Sequence, residues 1–199
     1  MKILIQSLSM PRSSSRSFSS ALRRHQARVS ITQPTVRGHG SGTLHAAWEF
    51  LARDLDLRRL RSGSERAYLR HLDEATTAFM KRLGTRKGGA KSKASASWGL
   101  ARKLLNIYIR DCVYSRMLCE HYRLAGIEPF LEVPLDSFVA KGLIAEATAR
   151  GQTRRLPRWS TIKGLRRADS DLYQRFASDL AAEYGHARIH LDVLLWGNR

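Results

Sequence analysis

The chain has 199 residues, of which 43% are hydrophobic, enough for one domain with its own core. Lys and Arg total 35 against 17 Asp and Glu, so the formal net charge is +18 and the pI is near 11.0. This balance favours a polyanionic partner, nucleic acid first, although an Arg-rich codon bias also explains part of the excess. No apolar run reaches the roughly 18 residues of a membrane span, so no membrane partner is expected.

The N-terminal segment, residues 1–42, is rich in Ser and Arg, and no Asp or Glu occurs before Glu49. This composition fits a mitochondrial presequence, a disordered basic arm, or an upstream start codon with Met10 as the first residue. The basic arm is favoured, poorly ordered over residues 1–42 and followed by a helical domain over 43–199. A presequence would imply a mitochondrial protein. Otherwise we expect a cytoplasmic one, at the bacterial nucleoid.

Two amphipathic helices are predicted next. Apolar residues recur at helical spacing in TLHAAWEFLARDL, where Thr43 is the N-cap, and in SERAYLRHLDEATTAFMKRL, where Ser64 is the N-cap. The Gly/Ser/Lys segment that follows predicts a flexible loop. Its basic residues would release counterions from DNA. They are Arg86, Lys87, Lys91 and Lys93.

The stretch SWGLARKLLNIYIRD opens a third helix, predicted from about Gly99 to Leu124. Two cysteines seven residues apart would share a face of it and could not pair, which favours a reducing compartment. They are Cys112 and Cys119.

The second half of the chain continues the helical pattern. Pro129 and Pro134 favour an extended segment, after which Asp136 is well placed to cap a helix over residues 137–150. A second basic segment lies in RGQTRRLPRWSTIKGLRR, and a last helix or helix pair follows, with a break at Gly185. No alternating strand pattern persists, so the predicted fold class is all-α.

Two motifs carry a resemblance. WGLARKLLN resembles the hairpin and following helix of the helix-hairpin-helix DNA glycosylase superfamily. In that register Gly99 and Ala101 take the hairpin glycine positions, Lys103 the catalytic lysine and Asn106 the polar residue one turn later. VPLDSF resembles the superfamily's Val-Pro-Val-Asp-x-His segment and places Asp136 on its catalytic aspartate. With two cysteines a four-cysteine iron-sulfur cluster is excluded, so the oxoguanine-glycosylase-like branch without a cluster is the closer comparison.

The resemblance implies an enzyme that binds double-stranded DNA, flips out a damaged or modified base and cleaves its N-glycosidic bond, leaving an abasic site. Either Lys103 attacks the sugar C1′ through a Schiff base, with strand nicking possible afterwards, or Asp136 activates a water. No cofactor and no metal are expected. The base, the oligomeric state, and a role in repair or in defence against phage with modified bases stay open.

The remaining site assignments follow from the same placement. A glycine turn that opens a helix exposes N–H groups to a phosphate, and Arg102 is assigned a phosphate contact. Trp98 either wedges into the duplex or packs beneath the hairpin. Base-pocket candidates are polar or aromatic residues for which core packing is an equal explanation. They are Asn106, Tyr108, Phe138 and Trp159.

Two other interpretations compete with the glycosylase. The pattern R-x-x-x-x-H occurs before His71 and His121 and resembles the motif of helical HEPN ribonucleases, although chance predicts about one such match in this composition. A non-enzymatic, basic helical DNA-binding protein is the other alternative. His186 and His190 are spaced as zinc ligands can be, with Asp192 close by, but no HExxH motif or Cys partner accompanies them, so a plain histidine pair is favoured. No P-loop, nucleophile-elbow serine or dinucleotide fingerprint is present.

Overall fold

The fold is known from a computed structural model that describes residues 12–84 and 97–197. Within these ranges the chain forms nine α-helices and no strand, which confirms the all-α prediction. None of these helices is long and apolar enough to cross a membrane. The helices are α1 (Arg12–Ser30), α2 (Thr43–Glu49), α3 (Leu57–Leu60), α4 (Glu65–Gly84), α5 (Trp98–Tyr114), α6 (Arg116–Tyr122), α7 (Ser137–Ala149), α8 (Arg167–Glu183) and α9 (Leu191–Gly197).

Short helical turns join these elements. Phe50–Asp54 continues α2 as a π-helical turn. The connecting 3₁₀ turns are Gln33–Val36, Ala125–Phe130, Thr153–Arg155, Ile162–Gly164 and Arg188–His190. The four loop residues predicted to contact DNA lie outside the described ranges. They are Arg86, Lys87, Lys91 and Lys93.

The larger hydrophobic cluster is formed by α1, α2, α4, α5 and α6. Its members recur three or four residues apart, because one face of each amphipathic helix turns inward. On α4 this face includes Tyr68, Leu72 and Phe79, all fully buried. The Phe79 ring stacks on Phe50 at a centroid distance of 4.4 Å. The two predicted helices before the loop are therefore confirmed as core elements, although the N-cap of α2 is Gly42 and not the predicted Thr43.

A second hydrophobic cluster joins α7, α8 and α9. Gly142 of α7 lies so close to α9 that an added Cβ would stand 2.8 Å from a methyl carbon of Leu195. Helix α5 packs on both clusters, since Leu104 is buried in the first and Trp98 contacts the second. The remaining face of α5, which carries Lys103, Ile107 and Arg110, lines a cleft.

The N-terminal segment differs from the predicted arm. Helix α1 packs on the core through Ala27, and Ile31 follows it, both fully buried. The Ile31 carbonyl accepts a hydrogen bond from Trp48 Nε1 at 2.8 Å, and Arg23 Nη2 donates to the Leu51 carbonyl at 2.8 Å. The prediction of a poorly ordered arm over residues 1–42 is therefore wrong for the packed part of α1 and for the segment after it. The apolar face of α1 was obscured by the surrounding Ser and Arg.

The third predicted helix is shorter than expected. Helix α5 ends at Tyr114, because Ser115 adopts an extended backbone with φ −78° and ψ 103°, and α6 begins after it. The two cysteines consequently lie on different helices, and both are free thiols. Burial raises the pKa of Cys112 to about 12, so this thiol stays protonated and serves as a core residue.

Candidate active site

The central feature of the cleft is an amine beside a carboxylate. Asp136 is the N-cap of α7, where its Oδ1 accepts hydrogen bonds from the backbone N–H groups of Phe138 (2.9 Å) and Val139 (3.1 Å). Its other oxygen, Oδ2, lies 3.5 Å from Nζ of Lys103 on α5. The side chains are 16% and 15% exposed for Lys103 and Asp136. The structure thus brings together the two predicted catalytic residues.

The cleft around this pair has a volume of about 860 Å³. Leu100 and Ile107 of α5 line it on either side of Lys103, and Phe138 and Trp159 contribute aromatic surface. The Phe138 side chain is 51% exposed, whereas Trp159 is held by an edge contact with Tyr173 at 5.8 Å. Two of the four predicted base-pocket residues therefore lie in the same cleft as the predicted catalytic pair.

One wall of the cleft was missed by sequence reasoning. It is formed by the segment after α1, from Thr32 to His39. This segment belonged to the predicted arm, where no hydrophobic period marked it as structural. A usable signal was the motif RGHGSG, because Gly38, Gly40 and Gly42 adopt positive φ values of 80°, 91° and 86°. Glycine adopts positive φ without steric cost, so a glycine at every second residue indicates a loop of defined conformation.

An ion pair that lines the cleft was also missed. Asp192 of α9 and Arg110 of α5 both line the cleft and are hydrogen-bonded to each other. Burial raises the pKa of Asp192; Arg110 opposes this effect, and the nearby Asp136 carboxylate adds to it. Asp192 was expected only as a neighbour of His186 and His190, because its partner Arg110 is remote in the chain.

The phosphate contact predicted for Arg102 is wrong, because this side chain is 4% exposed and fully engaged inside the protein. Its Nε and Nη2 donate to the two Glu132 oxygens at 2.8 and 2.9 Å. Its Nη1 donates to Asp73 at 3.0 Å and to Thr76 at 3.1 Å. Burial alone would raise the pKa of Glu132, but Arg102 and the hydrogen bond from Asn106 outweigh it and hold that pKa below its usual value.

The other predicted ligand contacts on α5 also face the interior. Asn106 is 3% exposed and donates to Glu132 Oε2 at 3.0 Å, so it serves the buried ion pair instead of a base pocket. Tyr108 and Ala101 are fully buried in the larger cluster. These assignments are wrong because α5 is buried on most of its circumference, which a single amphipathic pattern did not predict.

The predicted phosphate-binding turn is replaced by close helix packing. Ser97 caps α5 by accepting a hydrogen bond from Leu100 N at 3.2 Å, and the next residue, Trp98, lies beneath the Arg102 guanidinium at 5.3 Å. Gly99 is buried, and an added Cβ would stand 2.3 Å from the Ile162 carbonyl oxygen. Packing therefore accounts for Trp98 and Gly99, and neither presents an open phosphate site.

We expect the variant Gly99→Ala to lower the free energy of unfolding by about 1–3 kcal/mol, because the added methyl group overlaps backbone that cannot move aside. Urea unfolding followed by circular dichroism measures this change. Gly126→Ala is the matched control, since nothing lies within 4 Å of the Cβ it would add. Equal stability of the two variants would contradict the close packing at Gly99.

The histidines of the competing interpretations lie outside the cleft. The His71 ring is engaged by Glu74 at 3.6 Å, and His121 packs edge-on against Tyr122. His190 contacts Glu128 at 3.1 Å, with the His186 ring 5.9 Å away. Within the described ranges, no group of three or more His, Cys, Asp or Glu side chains could hold a metal ion.

The sequence matches no protein-family model, and comparisons with curated proteins and with solved structures find no significant similarity. An amine and a carboxylate in a partly enclosed cleft supply a nucleophile and a group that accepts or donates a proton. The fold and the cleft define an all-helical protein with an amine–carboxylate pair as its candidate reactive centre.

Proposed function

We propose that this chain is a DNA glycosylase that accepts a damaged or modified base in the cleft and cleaves its N-glycosidic bond. The observation that carries the proposal is the approach of Lys103 Nζ to Asp136 Oδ2 at 3.5 Å. Two motifs that resemble separate parts of a glycosylase active site meet at this point. An accidental resemblance gives no reason for the two residues to be neighbours in a shared cleft.

The size and lining of the cleft support a nucleotide as its occupant. A volume of about 860 Å³ lies within the range of small-molecule sites and accommodates a base with its sugar. Trp159 and Phe138 offer aromatic surface on which an extruded base can stack. Unstacking a base from the duplex costs a few kcal/mol, which such contacts offset in part.

The charge around the cleft supports a nucleic acid as the carrier of that nucleotide. Arg37 lines the cleft, and Lys163 is the residue after Ile162, which also lines it. Both basic side chains are exposed. Arg158 is also exposed, next to Trp159. Cations placed at the edge of a site neutralise phosphates without reading sequence, which leaves recognition to the cleft.

The pair permits two routes to release of the base. In one, Asp136 accepts a proton from the Lys103 ammonium, the amine attacks C1′, and the base leaves with the electron pair of the broken C1′–N bond and takes up a proton. In the other, Asp136 accepts a proton from a water that attacks C1′, and the base leaves in the same way. The first route forms a Schiff base with the opened sugar, which water hydrolyses to the abasic site that the second route leaves directly.

The proposal is tested with duplexes that carry a panel of modified bases, incubated with the protein and then treated with alkali, which breaks the strand at abasic sites. The expected result is position-specific cleavage above the protein-free background for at least one base. Background cleavage across the whole panel would count against the glycosylase. Cleavage of RNA that depends on His71 or His121 would favour the ribonuclease instead.

The two routes are separated by borohydride, which reduces a Schiff base to a stable covalent adduct. If Lys103 is the nucleophile, a protein–DNA adduct forms with the wild type and is lost in Lys103→Ala. Lys141→Ala is the matched control, because this exposed lysine of α7 does not line the cleft. Base release without an adduct assigns the attack to water.

A further inference from the structure

The loop that follows the turn at Gln33–Val36 holds one histidine in a fixed position. His39 lies between Gly38 and Gly40, both with positive φ. Its backbone N–H donates to the Val36 carbonyl at 3.2 Å, and its own carbonyl accepts from Thr43 Oγ1 at 2.8 Å. Both backbone groups of His39 are therefore tied to structured neighbours, and the side chain is held against the cleft that it lines.

The His39 side chain is buried without its full set of hydrogen bonds. The residue is 8% exposed, and Nδ1 has no hydrogen-bond partner among the described residues. A buried polar atom without a partner costs about 1–3 kcal/mol. Several other buried side chains of the described ranges share this property, but His39 is the one among them that lines the cleft. His39 therefore lines the cleft with a ring whose hydrogen-bonding capacity is not fully used by the described residues.

The electrostatic surroundings keep this imidazole uncharged. Burial lowers the pKa of His39, and the positive charges of Lys163 and Lys103 lower it further. At neutral pH the ring is consequently neutral and presents one donor and one acceptor. A neutral ring does not suit a phosphate, which prefers cations, but it suits the edge of a nucleobase.

We propose that His39 recognises the base in the cleft through a hydrogen bond to the base edge, and so contributes to base specificity. This inference rests on the proposed function in that the cleft holds a nucleotide. Lys103 and Asp136 face the sugar, the exposed cations face the phosphates, and His39 supplies a neutral polar contact for the base. His39 thus binds the base and takes no part in breaking the bond.

The test compares two fluorescein-labelled single strands of equal length by anisotropy. One carries all four bases in mixed order, and the other carries tetrahydrofuran units that keep the phosphates and lack bases. The wild type is expected to bind the base-containing strand more tightly. In His39→Ala this preference falls by about 3- to 10-fold, as expected for one lost hydrogen bond, while binding of the baseless strand is unchanged.

Two further variants keep the result interpretable. His39→Gln retains a donor and an acceptor and is expected to keep most of the preference, whereas His45→Ala changes an exposed histidine of α2 and is expected to keep all of it. Thermal melting shows whether each variant is folded. If His39→Ala is unfolded, His39→Phe takes its place, because it keeps a ring in that position without a donor or acceptor, and an unchanged preference for the base-containing strand in His39→Phe would overturn the proposal.

The outcomes separate the inference from the proposed function. Equal binding of the two strands by the wild type, or an unchanged preference in His39→Ala, overturns the base contact even if base release is observed in the alkali assay. Loss of the preference in His39→Ala, together with no base release by the wild type in the alkali assay, supports the base contact and contradicts the glycosylase proposal. An equal loss of binding to both strands in His39→Ala assigns this residue to the phosphates and overturns the inference.

Discussion

Replacing Asp136 by Asn is expected to lower the rate of base release about 10²- to 10⁴-fold, the usual contribution of a positioned acid–base group. The substitution removes the charge beside Lys103 Nζ and the capacity to accept a proton. It leaves the fold in place, because Oδ1 of Asn can still accept the N–H groups of Phe138 and Val139, and Asn caps helices as well as Asp. Single-turnover rates at saturating protein measure the effect.

Asp56→Asn is the matched control for this variant. Asp56 caps α3 through the same contact, an N–H donated by Arg58 at 2.9 Å, and it does not line the cleft. The control should therefore keep the wild-type rate. A similar rate in Asp136→Asn and Asp56→Asn would show that the carboxylate at the cleft caps a helix and does nothing more.

Replacing Arg102 by Ala is expected to lower the free energy of unfolding by about 3–5 kcal/mol, the cost of removing one partner from a buried ion pair. Glu132, 3% exposed, would lose both guanidinium hydrogen bonds, and the effect of burial, which raises its pKa, would no longer be opposed by Arg102. Asp73 and Thr76 would each lose one donor. Urea unfolding followed by circular dichroism measures the change.

The control for Arg102 is an arginine in an exposed pair. Arg116 contacts Glu120 at 3.0 Å, but its side chain is 89% exposed, so Arg116→Ala should cost less than about 1 kcal/mol. A comparable loss in the two variants would contradict the buried network. Wild-type stability of Arg102→Ala together with weaker DNA binding would restore the phosphate role that the sequence suggested.

Much of the fold follows from the sequence alone. The apolar residues of α4 recur at helical spacing, and Asp136 before a helical run is a clear N-cap. The pairing of Lys103 with Asp136 came from two short motifs, whose residues the structure brings to 3.5 Å. Local periodicity was sufficient for the helix and for the cap, since each depends on a few consecutive residues, whereas the pairing was expected from the resemblance of the two motifs to one family.

Other features depend on contacts that no local pattern contains. The sequence around Arg102 predicts a surface cation beside Lys103. The side chain is buried because it pairs with Glu132 and Asp73, which lie on distant parts of the chain. The wall that carries His39 lay in a segment whose Ser and Arg content suggested disorder. For Arg102 the deciding partners are remote in sequence, whereas for the wall the local glycine pattern was outweighed by the basic, Ser-rich composition around it.

The most direct measurement is the amount of free base released from the duplex panel, determined by mass spectrometry and compared with the number of alkali-sensitive sites. Equal amounts of base and of abasic sites are expected with the wild type and with Asp56→Asn, and background amounts of both with Asp136→Asn. Strand cleavage without free base, or equal base release by Asp136→Asn, would contradict the proposed glycosylase.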